Sequence, residues 1–182
     1  MRYSASDTRA AARPQDDAPE SWLLLGTTYA VIVSGALLLA VAEQTPAYAL
    51  MALVFCAGHA LTVGPDGPTY VTKTVSKFLA VGALAFGLLQ SQFSSVHVSY
   101  GLAHFMILAQ LIKLYGPHEA RDLRLIQVAT IFEAMVAGIW ALNLLYLPVF
   151  AVTALSLMAN FVVVAARPPG GVLPRTVASW GE

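Results

Sequence analysis

The chain is 182 residues long, 58% hydrophobic and 11% charged, with ten Lys and Arg balanced by ten Asp and Glu. Soluble domains carry about 25% charged residues. A mean hydropathy of +0.69 therefore excludes a soluble helical bundle, whose helices need polar faces. Zero formal net charge leaves no basic face to displace counterions from phosphates, which excludes a nucleic-acid partner.

Residues 1–21 are polar, rich in Ala, Asp and Arg, and lack hydrophobic periodicity, so a disordered cytoplasmic tail is expected. Trp22 stands where an amphipathic ring favours the membrane interface. Residues 23–42 then provide an apolar run of about 20 residues, enough to cross a core of about 30 Å. Ala40-Val41-Ala42 resembles a signal-peptidase site, but the run before it outlasts a signal core of roughly 7 to 15 residues. The segment is expected to be retained.

A second span, 47–64, ends in the turn Pro65-Asp66-Gly67-Pro68. The third, 77–92, is short and closes on the polar run 90–95. The fourth, 96–115, is broken by Gly116-Pro117. The fifth, 123–145, continues until Pro148 divides it from the sixth, which Pro168-Pro169-Gly170-Gly171 stops. Residues 168–182 form a second flexible cytoplasmic tail. Because hydrocarbon leaves no unpaired backbone group satisfied, each span should be a helix. The expected fold is all-α, an integral membrane bundle of about six transmembrane helices occupying residues 22–167.

The basic residues sort into alternate gaps of this pattern. Arg2, Arg9 and Arg13 precede the first span, and Lys73 and Lys77 lie between the second and third. Lys113, Arg121 and Arg124 flank the fourth and fifth, and Arg167 and Arg175 follow the sixth. The turns near Gln44, Ser94 and Tyr146 carry none. Lys and Arg are retained on the cytoplasmic side during insertion, so both termini are expected in the cytoplasm of a bacterial inner membrane. For packing, Gly26, Ala30 and Ser34 offer a small-residue ridge on the first span. Thr130, Ala134, Ala137 and Ala141 offer another on the fifth, opposite Phe132, Met135 and Ile139.

Glu133 is the acidic residue deepest in a span, where an ionised carboxylate costs on the order of 2.5 to 3.5 kcal/mol. It must have a partner or be protonated. Counting at about 1.5 Å per residue from the helix ends places Glu133 and His104 at nearly the same depth, and the short turn between their helices makes those helices antiparallel neighbours. A His104 to Glu133 contact is therefore expected. It would act as interhelical polar glue worth about 0.6 kcal/mol, or as part of a proton or ion relay with Gln127, Thr130, His97 and His59 as further links. His59 and His104 sit at different depths and would not present a square axial pair to haem. His97 and His104, seven apart, are too distant for one metal, so no cofactor or metal is expected. Cys56, the single cysteine, reads as a small buried hydrophobe, with His59 its one nearby candidate base. Lys113, Tyr115, Glu119, Arg121, Asp122 and Arg124 read as a solvated charge cluster.

The stretch Leu111-Ile112-Lys113-Leu114-Tyr115, the turn Gly116-Pro117-His118-Glu119-Ala120 and the opening Arg121-Asp122-Leu123 resemble a signature of bacterial transglutaminase-like membrane proteins. In their N-terminal membrane region a helix closes on Lys-Leu, a polar turn follows, and Arg-Asp opens the next helix. Ile131-Phe132-Glu133-Ala134-Met135 and the run 155–161 are similar as well, so the resemblance covers roughly residues 70–165. It implies a membrane region that precedes an extracytoplasmic domain with a Cys, His and Asp triad. The sequence to Glu182 contains no such domain, and Cys56 matches no nucleophile position, so no catalytic residue carries over. An extracytoplasmic domain after a cytoplasmic N-terminus needs an odd number of spans. Either the third segment fails to span or the protein is a stand-alone relative. The expected function is that of a non-enzymatic membrane module that anchors or assembles a membrane-protein partner, or a second copy, through helix contacts. A small transporter using Glu133 and His104 and an accessory subunit of a larger membrane complex are the alternatives.

Overall fold

The computed structural model describes residues 18–62, 71–93, 98–116, 120–141 and 143–166. Residues 1–17 of the expected first tail, the whole second tail, the 65–68 turn, His97, His118 and Glu119 lie outside these residues, while residues 18–21, expected as tail, open the first helix. Among the described residues the regular structure is helical throughout: α1 Ala18–Glu43, α2 Ala47–Thr62, α3 Lys73–Phe93, α4 Val98–Leu114, α5 Ala120–Trp140 and α6 Tyr146–Ala165. Three of the helices, over Trp22–Glu43, Arg121–Trp140 and Tyr146–Ala165, are long and apolar enough to cross a membrane, and the other three are shorter apolar helices.

Two helix boundaries carry information. α1 stops because Gln44 adopts a left-handed φ of 57°, which lets the Thr45 N–H reach back to the Ala40 carbonyl at 3.1 Å. This is the 6→1 bond of a Schellman C-cap. Pro46 follows where its missing N–H costs nothing. At the other boundary the expected continuous helix to residue 145 is corrected: α5 ends at Trp140. Asn143 makes the turn, its side-chain oxygen accepting from Leu145 N at 3.0 Å and its carbonyl from Tyr146 N at 3.0 Å. Pro148 divides nothing. It sits in the first turn of α6, where helices tolerate proline.

α1 is the central stave, packing against α2, α4, α5 and α6, with Leu24, Val31, Ile32, Ala36, Leu38 and Leu39 wholly buried. Consecutive helices run antiparallel. Tyr29, His59 and Tyr115 meet at one end of the bundle, and Glu43, Tyr48, Gln90 and His104 meet at the other. The Val71 N–H bonds to the Tyr115 carbonyl at 3.3 Å. The starts of α1, α3 and α5 therefore share one end with the finishes of α2, α4 and α6. Lys77, Lys113, Arg121 and Arg124 all belong to that basic end.

The small-residue stripes fare differently. On α5, Thr130, Ala134 and Ala137 are buried while Met135 and Ile139 face outward, as expected. On α1 the ridge is displaced: Gly26 and Ala30 are exposed, and the close approach comes at Gly35 instead. Among the described residues the α3 backbone packs along α4, where the Gly87 α-carbon rides on the Gly101 carbonyl so closely that a β-carbon would collide with it, and α3 reaches α2 through the Gln90 side chain. Between α2 and α3 this leaves an apolar groove of about 610 Å³ lined by Met51, Phe55, Phe78, Phe86, Leu108 and Leu111.

Candidate functional site

Polar side chains in this apolar bundle fall into three layers that α1 threads in turn, at Thr27 to Tyr29, at Ser34 to Gly35 and at Glu43. Successive layers lie about 10 to 12 Å apart along the helix.

The layer at the far end is built on His104, which is 2% exposed. Its Nε2 lies 2.6 Å from Glu43 Oε1 and its Nδ1 lies 2.8 Å from Gln90 Oε1. Tyr48 stacks on the ring at 3.8 Å with an 18° interplanar angle, while its hydroxyl donates to Gln90 Oε1 at 3.3 Å. The ring is thus held between two oxygens, Glu43 at one nitrogen and Gln90 at the other. Four helices are tied together here. The expected contact between His104 and Glu133 is not formed, and both depth and rotation are the reason: His104 lies level with Glu43 and Glu133 level with Gly35, about 12 Å apart along α1. Gln110 faces α5, and the six residues back to His104 turn α4 by about 600°. That leaves the imidazole a third of a turn away, toward α1, α2 and α3.

The layer at the basic end holds two networks. Asn160 of α6 donates to Thr27 Oγ1 at 3.0 Å and to Thr28 Oγ1 at 3.1 Å, and accepts from Gln127 Nε2 at 2.7 Å. Gln127 is thus a structural partner of α6 and not a link toward Glu133. Beside it the Tyr29 hydroxyl lies 2.7 Å from His59 Nδ1, and Tyr115 meets the same imidazole edge-on. Cys56 is buried, as expected of a small hydrophobe. His59 is level with Tyr115 and His104 with Tyr48, so the two histidines are about 16 Å apart in depth. At the helix ends Lys113 Nζ donates to Asp122 Oδ1 at 2.8 Å. Asp122 is 3% exposed, which corrects the reading of this motif as wholly solvated: Lys113 and Asp122 lock the α4–α5 hairpin while Arg121 faces outward.

The middle layer contains Glu133, fully buried. Its carboxyl oxygens accept no hydrogen bond among the described residues, and neither does Gln110 Oε1. The Gln110 carboxamide lies alongside the carboxyl, but its N–H bonds run to Thr130 Oγ1 at 3.1 Å and to the Ile126 carbonyl at 3.4 Å. Gly35 on α1 faces this group, and a β-carbon there would collide with Glu133 Oε2 and crowd the Thr130 methyl. One residue earlier, the Ser34 carbonyl accepts from Thr153 Oγ1 at 3.2 Å.

Sequence reasoning singled out His104, Glu133, Lys113, Arg121 and Asp122. It missed Glu43, Tyr48, Gln90, Gln110, Gly35 and Asn160. A neutral amide inside an apolar run was the available signal for Gln90, Gln110 and Asn160, since such a group must find a partner in hydrocarbon. Glu43 stood at a predicted helix end, where a carboxylate attracts no attention. Among the described residues no three His, Cys, Asp or Glu side chains converge as a metal set. No family model, curated protein or solved structure matches the chain.

Proposed function

We propose that the chain is an integral-membrane module that crosses the bilayer six times with both termini in the cytoplasm, and that anchors or assembles a membrane-protein partner. It is similar in kind to the membrane region of bacterial transglutaminase-like proteins without their catalytic domain. The observation that supports this reading is the division of its surface. At both ends of the bundle polar side chains are committed to one another, while α3 and α6 turn Phe78, Val81, Leu155, Met158 and Val162 outward, each at least 66% exposed. Such an object is a stiff, self-satisfied scaffold with apolar flanks suited to lipid and to other helices.

Gathering Lys77, Lys113, Arg121 and Arg124 at one end supports a cytoplasmic basic end. At about 1.5 Å per residue α2 and α4 reach roughly 24 to 26 Å, a few ångströms short of a 30 Å core, which modest local thinning accommodates.

Threading is tested with single-cysteine variants at Lys77 and Arg121 in a Cys56→Ala background, labelled in intact cells with an impermeant maleimide. Both positions are expected to be protected until the membrane is opened. Labelling of one from outside and the other from inside would overturn the six-span arrangement. Assembly is tested by purification in mild detergent, with a fixed-stoichiometry complex expected and a lone, catalytically active chain the contrary result.

A further inference from the structure

Glu133 Oε1, Glu133 Oε2 and Gln110 Oε1 are three buried acceptors without a donor among the described residues, and they stand beside a fourth oxygen, Thr130 Oγ1. Exposure is zero for Glu133 and Thr130 and 1% for Gln110. The Thr130 hydroxyl already donates to the Ile126 carbonyl at 3.1 Å, and both Gln110 N–H bonds are committed. The group therefore holds more lone pairs than hydrogens, the Gln110 amide beside the carboxyl already running its N–H bonds to Thr130 and Ile126. The space it occupies exists because residue 35 of α1 lacks a side chain. Among the described residues the other enclosed carboxylates have partners: half-buried Glu43 has His104 and buried Asp122 has Lys113.

A set of oxygens without a donor is complementary to a small positive charge, since hard cations take oxygen ligands and a protonated carboxyl supplies the missing O–H. We propose that Glu133, Gln110 and Thr130, roofed by Gly35, form a binding site for one monovalent cation, held as Na⁺ or as a proton between the Glu133 carboxyl and Gln110 Oε1. This goes beyond the module reading and stands whether or not a partner protein is found. Other titratable or charged groups on the elements packed around α5 are Tyr29 and Glu43 on α1, Tyr100, His104 and Lys113 on α4, and Tyr146 on α6. Tyr29, Glu43, His104, Lys113 and Tyr146 have hydrogen-bond partners elsewhere, and Tyr100 packs on Trp140. On α5 itself Arg121, Asp122 and Arg124 sit at the basic end.

The test uses the full chain in phosphatidylcholine nanodiscs, with thermal unfolding followed for wild type and Glu133→Gln in NaCl and in choline chloride of equal ionic strength. If the site takes Na⁺, the wild-type midpoint rises with Na⁺ and the variant's does not. If it takes a proton, Na⁺ has no effect, and wild type loses ground to Glu133→Gln as pH moves from mildly acid to mildly alkaline, because the folded state then binds the extra proton. Gln110→Leu keeps the carboxyl and removes one oxygen. It should weaken whichever response wild type gives, and it serves alone should Glu133→Gln not fold. Wild type and both variants responding identically to Na⁺ and to pH would overturn the site.

Discussion

His104 and Glu133 are both buried to within 2% of full enclosure, they occupy neighbouring layers of one bundle, and they are treated in opposite ways. The imidazole has an acceptor on each nitrogen and a tyrosine ring on its face. The carboxyl, with the Gln110 amide alongside it, completes no hydrogen bond at either oxygen among the described residues. In lipid a polar group that completes its bonds holds helices together, whereas one left incomplete costs stability. The two layers therefore differ in what their removal does. Loss at the far end should weaken the fold, and loss in the middle should not.

The largest effect is expected from Glu43→Ala. It strips His104 of its carboxylate in a place water scarcely reaches and should cost about 2 to 3 kcal/mol of unfolding free energy in detergent micelles. Glu43→Gln keeps an acceptor and should recover part of that. Equal losses for Ala and Gln would mean that the Glu43–His104 bond is not what holds the layer. Asn160→Leu is the counterpart at the basic end. It leaves Gln127, Thr27 and Thr28 to find other partners, and about 1 kcal/mol is expected because intramembrane hydrogen bonds average near 0.6 and reach about 1.7 kcal/mol. Destabilisation measured by the same unfolding assay should appear without loss of helicity by circular dichroism.

Glu133→Gln should reverse the sign. In Na⁺-free buffer at neutral pH the substitution removes an unsatisfied carboxyl and supplies an N–H that can reach Gln110 Oε1. Stability should then stay level or rise by up to about 1 kcal/mol, as happens where a fold carries a residue for function at its own expense. A loss as large as that of Glu43→Ala would erase the distinction between the layers and make Glu133 another structural partner.

The helices themselves were legible because apolar runs and Pro-Gly turns announce their ends. Depth was legible only coarsely, since counting from the expected helix ends put His104 and Glu133 level when they lie one layer apart. Rotation was not. A soluble helix reveals its buried face through its polar one, but here both faces are apolar, so nothing in the pattern says whether His104 points to α5 or to α1. That angle is set by close approaches such as Gly35 against Glu133 and Gly87 against Gly101, made by glycines that the sequence does not distinguish from Gly26 or Gly82, where nothing lies within 4 Å. The Lys113–Asp122 lock was half visible. Both residues stood in a recognisable motif, but burial of the aspartate depends on how α5 leans over the end of α4.

The smallest effect concerns how the far layer is delivered to its place. Glu43 reaches His104 because α1 ends on the very next residue, with Gln44 in a left-handed conformation at φ 57°. That conformation costs an L-residue roughly 1 to 2 kcal/mol, while glycine adopts it freely but loses more entropy on folding. Gln44→Gly should therefore stabilise the protein by about 0.5 kcal/mol, through the cap alone, and leave the Glu43–His104 bond intact. The two substitutions probe the same corner by different means, so combining Gln44→Gly with Glu43→Ala should give additive effects. Strong non-additivity would show that the turn is held open by the His104 cluster rather than by its own backbone, and that the far layer organises the α1–α2 connection instead of being positioned by it.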